Sequence, residues 1–173
     1  KGYKALQIPC NHQAIFDVAQ AAASQTYCDA IRGKLAEKGL VISELSTHLE
    51  GQLIAVDPAY DEAFDNLAAQ AVGGNAAARQ EWATQTVKQA AVASARLGLT
   101  APAPSPGSLA WPRTHPWPPH PDARSRDALS PLAPRWPPVL DAFDEPGVHV
   151  CYEIGRAPGR GGGQITVVAV AVK

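Results

Sequence analysis

The stretch that decides the fold is Val148-His149-Val150-Cys151-Tyr152-Glu153-Ile154. Its apolar residues alternate with His149, Cys151 and Glu153, and alternation with a period of two residues is typical of a β-strand. Glu153 lies near the carboxyl end of this predicted strand, where parallel α/β folds place their functional groups. We therefore predict a strand over residues 148–154 that brings Glu153 to a functional site.

Two earlier segments also have the pattern of strands. Residues 4–9 place Leu6 and Ile8 on one face and Gln7 on the other, and Asn11 and His12 follow in a loop. A second strand is predicted over residues 41–49, with a face that carries Ile42, Glu44, Ser46 and His48. Polar side chains of both strands then point the same way as Glu153. Asn11 and His12 are expected at the same mouth, because they follow the first strand directly.

Helical patterns lie between the predicted strands. A single helix is predicted over residues 16–38, because Tyr27, Ile31 and Leu35 recur at four-residue spacing and Gly39 follows a basic last turn. Asp57-Pro58 is typical of a helix start, which predicts a short helix to about residue 71.

A longer helix is predicted from the cap Asn75 to about Leu97, where Gly98 ends it. Its inward stripe is expected to consist of Ala83, Val87, Ala91 and Ala95.

The composition changes after this helix. Twelve of the 16 prolines lie between Pro102 and Pro138. Proline removes a backbone donor and blocks helix interiors, so we predict a Pro-rich loop over about residues 102–138 and a helix only around residues 139–144. Residues 155–163 form a Gly/Arg-rich loop, and residues 165–172 are an apolar run that is either a buried strand or an exposed edge.

Strands that alternate with helices predict a parallel sheet. Strands of a doubly wound sheet tend to be apolar on both faces, whereas here one face is polar, which favours a barrel. The predicted fold is therefore α/β, of the parallel (β/α) TIM-barrel type, as an incomplete barrel of about four to five strands over residues 1–154. No Gly-x-Gly-x-x-Gly motif follows a strand, so a dinucleotide site is not indicated.

Composition narrows the classes of partner. The chain has 173 residues, of which 46% are hydrophobic, and its formal net charge is −1. Without a run of like charge or an apolar segment of about 18 residues, neither nucleic acid nor a membrane is expected as a partner. The cysteines have no disulfide or zinc spacing, which predicts reduced thiols in a cytoplasmic protein. A start at Lys1 and the lack of methionine predict a processed chain or a fragment.

Several segments together carry a family resemblance. Residues 2–9 (GYKALQIP), 42–53 (ISELSTHLEGQL), 57–61 (DPAYD), 107–112 (GSLAWP), 140–145 (LDAFDE) and 150–154 (VCYEI) occur in this order. Over roughly residues 2–154 the chain resembles the xylose-isomerase-like sugar phosphate isomerase/epimerase family. The resemblance implies a TIM barrel and a divalent metal (Mn²⁺, Mg²⁺, Co²⁺ or Zn²⁺) held by a Glu, Asp, His, Glu quartet. It implies aldose–ketose isomerisation or epimerisation of a small sugar or sugar phosphate.

The resemblance also implies roles for individual residues. Glu153 matches the first metal-binding glutamate, His48 a histidine near the substrate, and Trp111 an aromatic wall of the pocket. The chain departs from the family at Pro102, where a histidine is expected, and at Gly155-Arg156, where His-Pro is expected. Glu153 and His48 are predicted as catalytic residues and Glu153 as a metal ligand. Substrate-binding residues are predicted to be His48, Trp111, Trp117, Asn11 and His12.

Each of these residues also has a structural interpretation. Glu153 can be a buried carboxylate with a polar partner, and His48 a hydrogen-bonded histidine at the end of a strand. Trp111 and Trp117 can stack on the C–H surface of a sugar or anchor their loop on the core. Glu50 is expected in solvent beyond the second strand.

Two other hypotheses stay open. In one, the chain is a non-catalytic barrel-derived protein that binds partners through P-x-x-P motifs at residues 116–121. In the other, the sequence from about Pro102 onward is unreliable or out of frame relative to the protein actually present, which an intact mass would decide. A half-barrel leaves two sheet edges unpaired, so we expect a homo-oligomer.

Overall fold

A computed structural model describes residues 2–109 and 130–152 of the chain. Within these ranges the centre of the fold is a parallel sheet of three strands in the order β1 (Ala5–Pro9), β2 (Val41–Thr47) and β3 (Ala103–Pro104). Helices connect the strands, as parallel pairing requires. The predicted α/β class with a parallel sheet is confirmed.

The stretch at 148–152 lies beside the approach to β3. The backbone N–H of His149 donates to the carbonyl oxygen of Thr100 at 2.9 Å, and that of Cys151 to Pro102 at 3.4 Å. Both partners advance by two residues, as in a parallel pair. Val148 and Val150 are buried and His149 is exposed, so the predicted alternation is confirmed as far as it is described. Pairing amounts to a bridge at Cys151 rather than a full strand there.

The predicted face of β2 is wrong because the strand contains a β-bulge. The pairing with β1 steps from Leu6–Ile42 to Gln7–Glu44, so β2 has one extra residue. An extra residue reverses the alternation beyond it. Ile42 therefore packs on the same core cluster as Leu45, not on the face of Glu44. The strand also ends at Thr47, two residues earlier than predicted, and His48 begins helix α3 (His48–Leu53).

The helix predicted over residues 16–38 is two helices, α1 (Val18–Ala23) and α2 (Gln25–Ala36). Ser24 separates them with an extended backbone, and its hydroxyl accepts the N–H of Tyr27 at 3.2 Å. A serine that caps a helix accepts a hydrogen bond from a backbone N–H of the first turn, which would otherwise be unsatisfied. This bond stabilises the break between the two helices. The stripe of Tyr27, Ile31 and Leu35 packs on the core as predicted.

Residues 57–72 do not form the single short helix that was predicted. The chain makes one turn after another: a 3₁₀ turn at Pro58–Tyr60, helix α4 at Asp61–Phe64, and further 3₁₀ turns at Asp65–Leu67 and Gln70–Val72. No side-chain hydrogen bond caps α4, so nothing local favours its extension.

Helix α5 (Ala76–Leu97) is confirmed with both of its predicted ends. The Oδ1 atom of Asn75 accepts the N–H of Ala78 at 3.0 Å, and Gly98 ends the helix in the left-handed region at φ 73°. Ala83, Val87 and Ala91 are fully buried and Ala95 packs partly on the same cluster, as the periodicity predicted.

The described parts of the Pro-rich region contain regular structure. β3 includes Pro104, a 3₁₀ turn spans Ser130–Arg135, and helix α6 spans Pro137–Asp144. Pro137 and Pro138 occupy the first two helical positions, where a missing N–H is tolerated. The helix thus begins two residues before the predicted start. The rest of this region and the terminal residues 155–173 lie outside the described ranges.

Two clusters form the core, and α5 contributes to both. One cluster joins α5 to α3, α6 and the Val148–Val150 stretch; the other joins it to β1, β2, α1 and α2. The indole N–H of Trp136 donates to the carbonyl oxygen of Pro106 at 2.8 Å, which ties α6 to the segment after β3. All three cysteines are free, with Cys10 and Cys28 buried. None of the described helices is both long and apolar enough to cross a bilayer.

Candidate functional site

The ends of β1 and β2 bring several predicted site residues to one edge of the sheet. The N–H of Cys10 donates to the carbonyl oxygen of Ser46 at 2.9 Å, so pairing continues one residue past β1. Asn11 and His12 follow directly after β1, and His48 directly after β2. Because the strands are parallel, these residues lie at the same end of the sheet.

His48 is held by its neighbour in β2. Its Nδ1 atom forms a short hydrogen bond with the hydroxyl of Ser46, a buried residue. No described hydrogen bond engages Nε2 of the half-buried imidazole. That atom can accept a hydrogen bond from a ligand hydroxyl or donate one, depending on the tautomer.

Gln7 and Glu44 lie further down the same strands and satisfy each other. The amide of Gln7 donates to Oε1 of Glu44 at 2.7 Å in an exposed pair. This bond gives Glu44 a structural partner at a partly exposed position. Neither residue lines either of the two clefts described below.

Glu50 is the largest departure from the sequence-based expectation. It is 1% exposed rather than solvated, and within residues 2–109 and 130–152 neither of its carboxylate oxygens has a hydrogen-bond partner. Burial raises the pKa of Glu50 to about 7. Burial, and then the nearby Glu50 carboxyl, also raise the pKa of the Cys10 thiol, which keeps that cysteine protonated and unreactive.

A cleft of about 490 Å³ opens beside the end of β1. We call it the strand-end cleft; residues 10–13, 16–19, 49, 66–70, 82, 86 and 89 line it. Asn11 and His12 are in this cleft, whereas His48 is not. The structure therefore separates the predicted substrate-binding residues into two neighbouring places.

Sequence reasoning missed the wall that α5 contributes to this cleft. Trp82, Thr86 and Gln89 line it together. Their spacing of four and then three residues places them on one helix face, which is a signal that could have found them. The inward stripe predicted for α5, which begins at Ala83, lies on the adjacent face of the helix.

A second cleft of about 520 Å³ lies at the opposite end of the sheet. It is lined by the last turns of α2 and α5 and by the start of β2, including Leu40, Val41 and Gly98. Parallel α/β folds place their sites at the carboxyl ends of the strands, so the strand-end cleft, rather than this one, is the candidate ligand site.

The described residues do not build a metal site. Among residues 2–109 and 130–152, no three histidine, cysteine or acidic side chains come together in a way that could hold an ion. A divalent metal needs several protein ligands. The predicted ligand Glu153 and the predicted aromatic residues Trp111 and Trp117 lie outside the described ranges, as do the P-x-x-P motifs.

Comparison with known proteins gives structural matches alone. No family model matches the sequence, and no curated protein sequence matches it. A xylose isomerase domain protein from Planctomyces limnophilus matches with a TM-score of 0.50 and 14% identity, over 88% of this chain and 45% of that one. An L-ribulose 3-epimerase matches at 0.47 and 14%, over 90% and 41% of the two chains. A D-psicose 3-epimerase solved with D-fructose matches at 0.47 and 11%, over 89% and 43%.

The chain spans less than half the length of the solved structures that it matches. At 14% identity the first of these matches shows the fold and not the activity. The fold it shares with that protein is a TIM barrel, over a part of the barrel, as the sequence predicted.

Proposed function

We propose that this chain is a sugar isomerase/epimerase-like barrel protein whose reaction site lies at the carboxyl ends of β1 and β2. The observation that supports this best is the placement of Asn11, His12 and His48 at one end of a parallel sheet. That end is where (β/α) barrels carry their chemistry.

His48 is the residue to which we assign the substrate contact. Ser46 fixes Nδ1, so the ring has a defined orientation, and Nε2 is left for a sugar hydroxyl. Isomerisation moves a proton or a hydride between adjacent carbons, and epimerisation next to a carbonyl group removes and returns a proton. A histidine that hydrogen-bonds the neighbouring hydroxyl can position the sugar for that transfer.

A divalent metal is part of the proposal because Glu153 is predicted to be one of its ligands. The described side chains do not fit such an ion, and one carboxylate does not hold it. We therefore derive no step through a metal. When bound, such an ion polarises the carbonyl and hydroxyl oxygens of a sugar.

Solvent exchange tests the proposal without knowledge of the product. The full chain is incubated in D₂O with a panel of aldoses, ketoses and their phosphates, with and without Mn²⁺, and deuterium at the carbon next to the carbonyl is followed by NMR. We expect exchange with at least one sugar, and a loss of about 100-fold in rate for His48→Gln.

His149→Gln is the matched control, because His149 is exposed and its described hydrogen bond is made by its backbone. It should exchange at the rate of the unmodified protein. Absence of both deuterium exchange and an isomeric sugar with every substrate, or equal rates for His48→Gln and the unmodified chain, contradicts the proposal.

A further inference from the structure

Two polar side chains in the first turn of α3 are buried without a partner among residues 2–109 and 130–152. Glu50 is 1% exposed, and both of its carboxylate oxygens lack a hydrogen bond there. The Oγ1 atom of Thr47, three residues earlier, is buried and lacks one too. A buried polar group without a partner costs free energy, and a buried charge costs far more. The stability of this turn therefore depends on whether Glu50 is charged.

Among the described residues, the titratable groups that pack around this turn supply no compensating positive charge. Cys10, at the end of β1, has a thiol whose pKa is raised by burial, so it stays neutral. Asp65, in the 3₁₀ turn that contacts α3, forms a salt bridge with Arg79. The stripe of α5 in the same core cluster is apolar, and β3 contributes alanine and proline. His48, in the turn itself, is hydrogen-bonded to Ser46.

Ionisation of Glu50 therefore opposes the packed arrangement of the turn. Burial raises the pKa of this carboxyl group from 4.5 to about 7. Because of this difference, ionisation shifts the balance between a buried and a solvated carboxyl group by about 300-fold towards the solvated one. The neutral group stays buried at low pH, and the solvated position becomes more favourable as the pH rises.

The second half of α3 is held more firmly than its first turn. The hydroxyl of Ser108 donates to the carbonyl oxygens of Gln52 and Ala55, which are 3.1 and 3.2 Å away. The N–H of Ser108 also donates to the carbonyl oxygen of Ala55 at 2.7 Å. Leu53 and Ile54 are buried in the core cluster of α5. By contrast, no side-chain hydrogen bond caps the first turn, so a rearrangement of α3 is expected there.

The sequence offers the first turn a second arrangement. Thr47-His48-Leu49-Glu50 has the Thr-x-x-Glu spacing of a capping box, in which the threonine hydroxyl accepts the N–H of the glutamate and the carboxylate turns back to the cap residue. The box is not formed, because the backbone of Thr47 (φ −120°, ψ 28°) is not extended as a cap requires. Rotation of Thr47 into the extended region gives its hydroxyl a donor and lets the carboxylate leave the core.

From these observations we infer that the first turn of α3 is a pH-sensitive switch. With Glu50 neutral the turn is packed as in this structure, and with Glu50 ionised it rotates into a capping box and the carboxylate leaves the core. His48 is the first helical residue of this turn, so its hydrogen bond to Ser46 belongs to the packed state. The switch thus changes the orientation of the imidazole at the strand ends. It does not depend on the reaction proposed for His48, and its test needs no substrate.

The pH at which the switch opens has bounds. Opening is complete at high pH only if the neutral form prefers the packed turn by less than about 300-fold. Within that limit the midpoint lies between 4.5 and about 7, the pKa values of the solvated and the buried carboxyl group. A carboxyl group that ionises without leaving the core would instead titrate at about 7 and leave the turn unchanged.

An NMR titration of the full chain with ¹³C-labelled glutamate tests the inference. We expect the carboxyl carbon of Glu50 and the backbone amides of residues 47–51 to titrate together, with a midpoint between about pH 5 and about pH 7. The ring of His48 should show a second step at this midpoint beside its own titration. In Glu50→Gln the amides and the ring should lose that step, because the amide side chain cannot ionise. Thr47→Val, which lacks the hydroxyl of the box, should raise the midpoint by about 0.5–1 pH unit.

Glu62→Gln is the matched control, because it makes the same change at an exposed glutamate and should keep the step. The inference is overturned if the carboxyl carbon of Glu50 titrates at about 4.5, or if it titrates while the amides of residues 47–51 do not move. It is also overturned if the second step of His48 persists in Glu50→Gln, or if Thr47→Val leaves the midpoint unchanged. The unmodified chain alone decides the first two outcomes, so the test does not depend on the folding of a variant.

Discussion

Glu50 carries the carboxyl group whose environment changes most on folding. Its side chain goes from water to a site with 1% exposure and no hydrogen-bond partner. Burial disfavours the charged form and raises the pKa from 4.5 to about 7. Between these two values the native state binds more protons than the unfolded state, so stability falls as the pH rises through this window.

Replacement of Glu50 by glutamine should remove this pH dependence, because the amide keeps the shape of the protonated carboxyl and cannot ionise. At about pH 8 we expect Glu50→Gln to be more stable by up to about 3 kcal/mol, and at about pH 4 to differ little. Urea unfolding at both pH values measures the difference. Glu62→Gln, at an exposed position, should not change the pH profile. Equal slopes for Glu50→Gln and the unmodified chain would show that Glu50 is solvated.

At the scale of elements, α3 depends on a close approach to the chain after β3. A Cβ atom added to Gly51 would overlap the backbone oxygen of Ser105 and lie 2.6 Å from its nitrogen. Both are main-chain atoms, which cannot rotate away as a side chain can. Ser108, whose hydroxyl donates to the carbonyl oxygen of Gln52 at 3.1 Å, fixes the same contact.

Gly51→Ala should therefore destabilise the fold by about 1–3 kcal/mol or more, despite the better helix propensity of alanine. Gly33→Ala in α2 meets nothing within 4 Å and should stabilise by about 0.5–1 kcal/mol. Thermal unfolding of the pair compares the two. The contact is refuted if both variants are stabilised alike.

Sequence patterns predicted elements best where a local signal acts alone. Helix α5 begins after Asn75 and ends before Gly98. An N-cap side chain and a glycine in the left-handed region both act on backbone groups that are close to them in sequence, so a local pattern is sufficient to predict them. The break at Ser24 lies before the stripe of Tyr27, Ile31 and Leu35, so the periodicity of that stripe did not indicate where the helix begins. The bulge in β2 depends on the register with β1, which no local pattern records, and so the face of Ile42 was wrongly predicted.

At the scale of the whole molecule, the sequence was sufficient to predict the fold class, but not all of the residues that line the candidate site. Alternation of strands and helices was sufficient for a parallel α/β fold, since parallel strands require crossover connections. The strand-end cleft was found in part: Asn11 and His12 follow a strand, but the wall from α5 comes from packing between distant segments. Burial of Glu50 was missed because its surroundings are set by the tertiary fold.

Association is expected from the open edge of the sheet. β1 is an outer strand of the described sheet, and Leu6 within it and Tyr3 just before it are exposed apolar residues, at 36% and 73% exposure. An unpaired apolar edge favours pairing with another strand. We propose a second copy of the chain as its partner.

Light scattering after gel filtration measures this association. We expect the mass of a homo-oligomer for the unmodified chain and a monomer for Leu6→Lys, because charge at an edge opposes pairing. Ile15→Lys, at an apolar position that is 62% exposed in the loop beyond β1, should leave the mass unchanged. A monomeric unmodified chain contradicts the expectation.

An amide chemical-shift titration of the full chain with D-fructose locates the ligand site most directly. We predict that the largest changes fall at the carboxyl ends of the strands, at Asn11, His12, His48 and the indole N–H of Trp82. Changes confined to the opposite end of the sheet, around Leu40, Val41 and Gly98, or no change at all, would contradict a sugar site at the strand ends.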